Sequence, residues 1–258
     1  MAVFTPVSVE DAKVFLSAYD LGEVVDLQGV AEGVENSNFK LVTTRGTFAL
    51  TLFEKRVAEK DLPYYLGLME HLAQRGIPSP LPHRDRSGAL IGRLNGRAAA
   101  VVDWLKGAWL REPTMDEVRR AGRVLAQLHL AGRDFPLVLP NAMGLDSWVR
   151  LAERCAAKAQ GEAAAMLAVL TAEIDRLRRD WPCGLPSGPI HADMFPDNVL
   201  FDGGEVSGVI DYYFACNDAF AYDLAVTINA WGFTPTGAPD PVLSAALIEG
   251  YESTREWE

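Results

Sequence analysis

The stretch that decides the fold of this chain is His191-Ala192-Asp193-Met194-Phe195-Pro196-Asp197-Asn198, and Asp211 follows it thirteen residues later. The pattern His-x-Asp-x-x-x-x-Asn places a carboxylate and an amide five residues apart. Asp193 can then orient and deprotonate an acceptor hydroxyl, while the side-chain oxygen of Asn198 can bind a metal ion on nucleotide phosphates. The spacing therefore predicts a kinase-like catalytic loop.

The residues after Asn198 predict a hairpin that carries a second metal ligand. Two apolar runs flank the turn-forming sequence Asp202-Gly203-Gly204-Glu205. If the turn is centred between Gly204 and Glu205, Asn198 and Asp211 face each other, roughly 5 Å apart. Their oxygens suit Mg²⁺, which needs only one or two protein ligands beside the phosphates.

Taken one at a time, these residues have a simpler explanation. Asp, Asn and Gly occur in any surface turn, and a lone His191 fits a satisfied core histidine. Only the joint spacing of Asp193, Asn198 and Asp211 favours a catalytic site.

Length and composition indicate a globular protein. The 258 residues, 49% of them apolar, can bury a sizeable core. No apolar run is long enough to span a membrane and no secretory signal pattern begins the chain, so we expect a cytoplasmic protein. The net charge of -11 argues against nucleic acid as a partner. The three cysteines match no disulfide or zinc pattern, and the oligomeric state is left open.

The chain changes in texture near residue 103. Before it, periodicity predicts a small sheet with helices, as follows: helix Val7–Tyr19, strands Val24–Leu27, Phe39–Val42 and Phe48–Phe53, helix Asp61–Gln74, and apolar runs Ala89–Ile91 and Ala98–Leu105. After it, a capped helix begins at Thr114, Leu145–Trp181 is helical, and His129 fits a core position. The prediction is an α+β, two-lobed fold, with a nucleotide-binding lobe at 1–103 and a catalytic lobe at 104–258.

A polar loop of small residues, Gly33-Val34-Glu35-Asn36-Ser37-Asn38, separates the first two predicted strands. Backbone N–H groups in such a loop can form a nest for anions. The loop alone would also fit an ordinary polar hairpin connection. The catalytic loop downstream favours phosphate binding.

Together these motifs resemble the aminoglycoside phosphotransferase and choline kinase group, relatives of the protein kinases. The group pattern is carried by His191-x-Asp193-x-x-x-x-Asn198, Ile210-Asp211, Asp218 and Tyr222-Asp223-Leu224-Ala225. A narrower resemblance to the homoserine kinases is carried by Gly33–Asn38, Phe48–Glu54, Tyr65–Met69, Asp197–Phe201 and, above all, Tyr213-Phe214-Ala215-Cys216-Asn217-Asp218.

The resemblance implies a protein-kinase-like fold that uses ATP and Mg²⁺. It implies Asp193 as the base, with Asn198 and Asp211 as Mg²⁺ ligands. The nucleotide-binding residues that it implies are Gly33, Asn36, Ser37 and Asn38 over the phosphates, and Val102 and Asp103 in a hinge against adenine. In such folds Asp223 usually braces the catalytic loop.

The narrower resemblance implies L-homoserine as the acceptor and O-phospho-L-homoserine, an intermediate of threonine biosynthesis, as the product. An amino-acid acceptor needs partners for its carboxylate and for its ammonium group. Four residues near Asp211 in sequence are candidates, namely Tyr212, Asn217, Asp218 and Trp231. Packing or loop capping would explain these four equally well.

Two features depart from the family pattern. Thr51 occupies the strand position where kinases usually carry a phosphate-binding Lys or Arg, so Lys40 and Lys55 become candidates for that cation. The chain also stops at Glu258, whereas relatives of this type usually continue with further helices.

Two alternatives to a homoserine kinase remain open. An aminoglycoside or choline phosphotransferase would need an acidic or aromatic acceptor pocket, which the net charge permits. A nucleotide-binding but inactive chain is favoured by Thr51 and by the early end, whereas the intact Asp193, Asn198 and Asp211 oppose it.

Overall fold

The computed structural model describes residues 4–30, 36–54, 57–234 and 236–256. A five-stranded antiparallel sheet comes first, and a mainly helical region follows. The sheet region contains α1 (Val9–Leu16), β1 (Val24–Gly29), β2 (Ser37–Thr43), β3 (Gly46–Leu52), α2 (Leu62–Ala73), β4 (Gly92–Leu94) and β5 (Arg97–Asp103), and its strands lie in the order β1-β2-β3-β5-β4. The helical region contains α3 (Met115–Gly132), α4 (Leu145–Ala156), α5 (Glu162–Asp180), β6 (Ser187–Ile190), β7 (Val199–Asp202), β8 (Glu205–Val209), β9 (Cys216–Ala219), α6 (Phe220–Trp231) and α7 (Pro241–Glu252). The predicted α+β architecture is confirmed.

Helix starts follow local capping chemistry. Thr114 and Glu117 form a capping box at the start of α3, which confirms the predicted capped helix. The stretch predicted to be helical from Leu145 to Trp181 consists of two helices, because Gly161 adopts a positive φ of 56° before α5.

The sequence prediction is wrong about the strand at one edge of the sheet. The apolar run Ala89–Ile91 predicts a strand, but β4 begins only after it. Leu94 pairs with Arg97 across a two-residue turn of Asn95 and Gly96, both with positive φ. Asn-Gly is the preferred sequence of such a turn, and it sets the register between β4 and β5.

Hydrophobic clusters cover both faces of the sheet. On one face, Leu16 of α1 packs in a cluster with Leu41 and Leu50. On the other face, Ala100 and Val102 belong to one cluster with α2, α3, α6 and α7. This core crosses the predicted boundary between residues 103 and 104, and that boundary stays a prediction.

Helices α3 and α7 contact each other at the level of their backbones. A Cβ atom at Gly122 of α3 would overlap with the carbonyl oxygen of Leu247. A Cβ atom at Gly250 of α7 would overlap with the carbonyl oxygen of Arg119. Only glycine fits at these two positions, because both neighbours are main-chain atoms.

Helices α4 and α5 pack differently, since neither contains a buried residue. They contact each other, yet apolar side chains of α5 remain open, with Met166 62% and Val169 70% exposed. No helix in the described part of the chain, these two included, is long and apolar enough to cross a membrane.

Candidate active site

The metal-ligand candidates Asn198 and Asp211 lie at the open end of the hairpin formed by β7 and β8. The backbone N–H of Ile210 donates to the carbonyl of Asn198 over 2.9 Å. Asn198 is therefore opposite Ile210, and the prediction that Asn198 and Asp211 are direct cross-strand partners is wrong by one residue. Asp211 itself has a left-handed backbone (φ 65°, ψ 61°) and precedes a short 3-10 helix.

The register error arises at the turn, which the prediction centred between Gly204 and Glu205. The turn consists of Gly203 and Gly204, both with positive φ, as a tight two-residue hairpin requires. Ser207 then forms a bulge, because Phe201 pairs with Val206 whereas the next pair skips Ser207, and this bulge moves the register one residue back towards the predicted one. The hydroxyl of Ser207 donates to the carbonyl of Lys106 over 2.7 Å.

Asp193 and Asn198 contact each other directly. The amide nitrogen of Asn198 donates to the backbone carbonyl of Asp193 (2.8 Å) and to its carboxylate (3.0 Å). These bonds hold the carboxylate of Asp193 in place and turn the amide oxygen of Asn198 away from it. The arrangement fits a base beside a metal ligand.

The His191 ring links the catalytic loop to the strand that precedes Asp211. Its Nε2 lies 3.0 Å from the carbonyl oxygen of Ile210, and its Nδ1 accepts from the backbone N–H of Asp193 over 3.3 Å. Nε2 therefore carries the hydrogen. Burial lowers the pKa of His191 below its ordinary value, so the ring is neutral. His191 positions the loop, and sequence spacing alone left that role open.

Asp223, at the start of α6, braces the same loop from within the core. Its two carboxylate oxygens accept from the backbone N–H groups of His191 and Ala192, each over 2.8 Å. Ala192 has a φ of 61°, which is unfavourable for a residue with a side chain. Asp223 therefore stabilises a strained backbone next to Asp193, as the resemblance implies.

A row of hydrogen bonds continues from Asp223 towards the end of the chain. The Nε2 of His129 lies 2.9 Å from Asp223, and the Nδ1 lies 2.7 Å from the Tyr251 hydroxyl. Arg255 donates to that hydroxyl over 2.9 Å. Because Arg255 only donates, the Tyr251 hydrogen is directed at Nδ1, and Nε2–H donates to Asp223. His129 is fully buried, as its core position in the sequence predicts.

The charges in this row follow from burial and hydrogen bonding. Burial lowers the pKa of His129, and the attraction of Asp223 only partly opposes that shift. Burial also works against the ionised form of Asp223, but hydrogen bonds from the His129 ring and from the backbone of His191 favour that form, and the pKa of the carboxyl is lowered. Asp223 is therefore a carboxylate between the neutral rings of His129 and His191.

The residues at the hairpin end fit the donor chemistry of Mg²⁺. Asn198 and Asp211 offer an amide oxygen and a carboxylate, which are hard ligands, and Mg²⁺ takes its remaining ligands from phosphates and water. No cluster of three His, Cys, Asp or Glu residues able to hold a metal occurs among the described residues.

The predicted phosphate loop is only partly described, and Gly33 lies outside the described residues. Asn36 is buried, and its side-chain oxygen accepts from the backbone N–H of Glu54. The Ser37 hydroxyl accepts from two backbone N–H groups of the N-terminal segment and donates to Glu54. The Ser37 hydroxyl is therefore fully engaged within the protein, and binding of phosphate by the backbone of this loop stays a prediction. Asn38 is half-buried and accepts from the Thr51 hydroxyl.

Lys40 lies on the same face of the sheet as Thr51. Asn38 and Thr51 are paired across β2 and β3, and Lys40 is paired with Ala49 two positions further along, so all four side chains share this face. The ammonium of Lys40 lies 5.3 Å from the ring centre of Trp104. Lys40 therefore remains a candidate for the phosphate-binding cation, whereas Lys55 lies outside the described residues.

The hinge candidates have partners within the protein. Val102 is 7% exposed and packs in the main core cluster. The backbone N–H of Asp103 donates to the carbonyl of Leu81, and its carboxylate lies 2.7 Å from the Nε2 of His83. A contact of these two residues with adenine stays a prediction.

The acceptor candidates fall into two groups. Tyr212 is fully buried, and Trp231 is 2% exposed with its indole N–H donating to the carbonyl of Met194. Both lie inside the core beside the catalytic loop, which favours packing over acceptor binding, and their contact with an acceptor stays a prediction. Asn217 accepts from the Tyr64 hydroxyl and the Leu139 N–H, and Asp218 accepts from the Asn141 amide. These two half-buried residues hold the segment around residue 140.

A cavity of about 330 Å³ lies beside the residues that follow Asp211. Its wall includes Asp61 and Tyr65 at the start of α2, and Tyr213 and Phe214 from the 3-10 helix. The sequence prediction missed this pocket. The available signal was the spacing of Asp61 and Tyr65, which places both side chains on one helix face.

The model of the phosphotransferase enzyme family matches residues 26–257. The chain is 50% identical over 255 residues to a homoserine kinase of Rhizobium etli, covering 99% of this chain and 79% of that protein. The chain belongs to the phosphotransferase enzyme family, among its homoserine kinases. A homoserine kinase of Methylobacterium nodulans is also 50% identical, over 258 residues that make up 100% of this chain and 80% of that protein.

Solved structures support the fold. An amicoumacin kinase in complex with AMP-PNP and Ca²⁺ has a TM-score of 0.79 with this chain at 14% identity, covering 96% of this chain and 78% of that structure. Identity this low shows the fold alone, and that fold is kinase-like. The predicted resemblance is therefore confirmed for the family, for the kinase-like fold and for an ATP-using phosphotransferase with an alcohol acceptor.

Proposed function

We propose that the chain transfers the terminal phosphate of ATP to the side-chain hydroxyl of L-homoserine, giving O-phospho-L-homoserine for threonine biosynthesis. The observation that carries the acceptor is the 50% identity, over nearly the whole chain, with proteins named homoserine kinase. The hydrogen-bonded pair of Asp193 and Asn198 supports the reaction type.

In this proposal Asp193 accepts the proton of the homoserine hydroxyl as its oxygen attacks phosphorus. Asn198 holds that carboxylate through its amide hydrogens, and His191 and Asp223 hold the backbone on which it sits. Mg²⁺, held by the Asn198 amide oxygen and the Asp211 carboxylate, would neutralise charge on the phosphates. Lys40 would add positive charge from the sheet.

We expect Asp193→Asn to lower kcat by at least about 100-fold and to leave the affinity for Mg-ATP near that of the wild type, because the base acts on the acceptor. Asp211→Ala should instead weaken Mg-ATP binding. ADP release and calorimetry measure the two effects. Asp197→Asn is the matched control, since Asp197 is an exposed carboxylate in the same loop.

An acceptor panel tests the substrate. Purified protein would be assayed with homoserine, choline, methylthioribose and an aminoglycoside. Turnover on homoserine alone supports the proposal, and turnover on any other acceptor contradicts its specificity. Mg-ATP binding without ADP formation on any acceptor would select the inactive alternative. The cavity of about 330 Å³ lies near the lower limit of ligand pockets and fits a small amino alcohol better than an aminoglycoside.

A further inference from the structure

The cavity beside Asp211 contains two polar groups that the protein itself leaves unused. Asp61 directly precedes α2, but its side chain makes no capping hydrogen bond. Among the described residues, no hydrogen bond or ion pair to its carboxylate occurs. The neighbouring hydroxyl of Tyr65 likewise has no hydrogen-bond partner there, although Tyr65 is only 9% exposed.

The side chains of Asp61 and Tyr65 both line the cavity. Asp61 and Tyr65 are four residues apart at the start of α2, so their side chains lie one above the other on one helix face. Burial raises the pKa of Tyr65 to about 12, and the charge of Asp61 adds to that shift. The tyrosine is therefore a neutral hydroxyl beside a carboxylate.

Apart from Asn141, whose side chain is hydrogen-bonded to Asp218 and to the backbone of Met143, the rest of the wall is aromatic and apolar. The rings of Tyr65 and Tyr213 meet edge to face with centres 5.9 Å apart, and Tyr213 meets Phe53 in the same way at 5.3 Å. The thiol of Cys216 also lines the cavity, and burial raises its pKa to about 12, which leaves it uncharged. A carboxylate in a wall of aromatic rings suits a small cation such as an ammonium group.

We infer that this cavity binds the amino group of the acceptor, with Asp61 as its ion-pair partner and the Tyr65 hydroxyl as a second polar contact. The inference rests on the proposed function, because it assigns the amine subsite of the same acceptor. Tyr213 and Phe214 follow Asp211 directly in the chain, so the pocket adjoins the predicted metal site. The hydroxyl and the amine of homoserine are separated by about 5 Å, so the inference requires the amine subsite to lie close to the hydroxyl at Asp193.

The experiment compares three acceptors that differ by one group each. L-homoserine carries an amine and a carboxylate, 3-amino-1-propanol lacks the carboxylate, and 4-hydroxybutyrate lacks the amine. In the wild type we expect kcat/KM to fall most for 4-hydroxybutyrate. Asp61→Asn should raise the KM for homoserine about tenfold or more, change kcat and the KM for ATP little, and reduce the preference for amine-bearing acceptors. Tyr65→Phe should act in the same direction with a smaller effect.

The matched control is Asp146→Asn, because Asp146 is an exposed carboxylate in the first turn of another helix, α4. Circular dichroism would establish that each variant is folded. If the wild type used homoserine but Asp61→Asn kept both the KM and the amine preference, the inference would be wrong and the proposed function would stand. Equal use of 4-hydroxybutyrate and homoserine by the wild type would also overturn it. Absence of homoserine turnover in the wild type contradicts the proposed function instead.

Discussion

Two helix pairs of the same region are built in opposite ways. Helices α3 and α7 meet through glycines at backbone distance and enclose His129, Asp223 and Tyr251. Helices α4 and α5 contact each other without burying a single residue. The first pair holds the catalytic loop through His129 of α3, which is hydrogen-bonded to Asp223 of α6, and Asp223 in turn accepts from the backbone of His191. The catalytic loop is therefore braced by the buried residues His129, Asp223 and Tyr251, here called the α3–α7 centre. Helices α4 and α5 lie at the surface and contribute no buried residue.

The largest effect is expected from Asp223→Ala. The substitution removes the acceptor for the backbone N–H groups of His191 and Ala192 and for the ring of His129. Breaking a buried charged network of this kind costs about 3–5 kcal/mol of the free energy of unfolding. Urea unfolding measures the loss, and ADP release should fall with it. A variant with wild-type stability and activity would show that the α3–α7 centre does not brace the loop.

A smaller loss is expected from Gly250→Ala. The added methyl group would overlap with the carbonyl oxygen of Arg119, and forcing helices apart in a packed core costs about 1–3 kcal/mol. Thermal unfolding measures it. The control is Gly67→Ala in α2, where a Cβ atom would make ordinary van der Waals contacts with the side chains of Phe135 and Leu137. There alanine should be neutral or slightly stabilising, because it favours the helix. Equal effects at both glycines would contradict the close approach of α3 and α7.

The smallest effect is expected from Val169→Glu on α5. The side chain is 70% exposed, so the substitution should change the free energy of unfolding by less than about 0.5 kcal/mol. The same thermal unfolding assay tests it. A loss of 2 kcal/mol or more would mean that α5 packs against another surface in solution, and the contrast between the two helix pairs would no longer hold.

Local sequence signals predicted much of this molecule. The capping box at Thr114 and the alternation of β2 depend on neighbours a few residues away, so both can be recognised in the sequence. The spacing of Asp193 and Asn198 is also local, and the structure joins them by a hydrogen bond.

Features that depend on distant partners were not predictable. The bulge at Ser207 shifts the hairpin register, and its hydroxyl bonds to Lys106, about a hundred positions earlier. Proximity to Asp211 in sequence suggested Tyr212 and Trp231 as acceptor contacts, but the fold places both in the core. The cavity takes Asp61 from a helix far upstream, which no spacing near the catalytic motif could reveal.

The two glycine contacts of α3 and α7 are reciprocal. Gly122 faces the carbonyl three residues before Gly250, and Gly250 faces the carbonyl three residues before Gly122. A sliding movement of α7 along α3 in either direction would push a side chain into a main-chain oxygen. Helices α3 and α7 can therefore pack in one axial position relative to each other. Since Tyr251 is the next residue after Gly250, the same axial position determines where the Tyr251 hydroxyl meets His129. The two glycines, which have no side chain, therefore help to align the loop that carries Asp193.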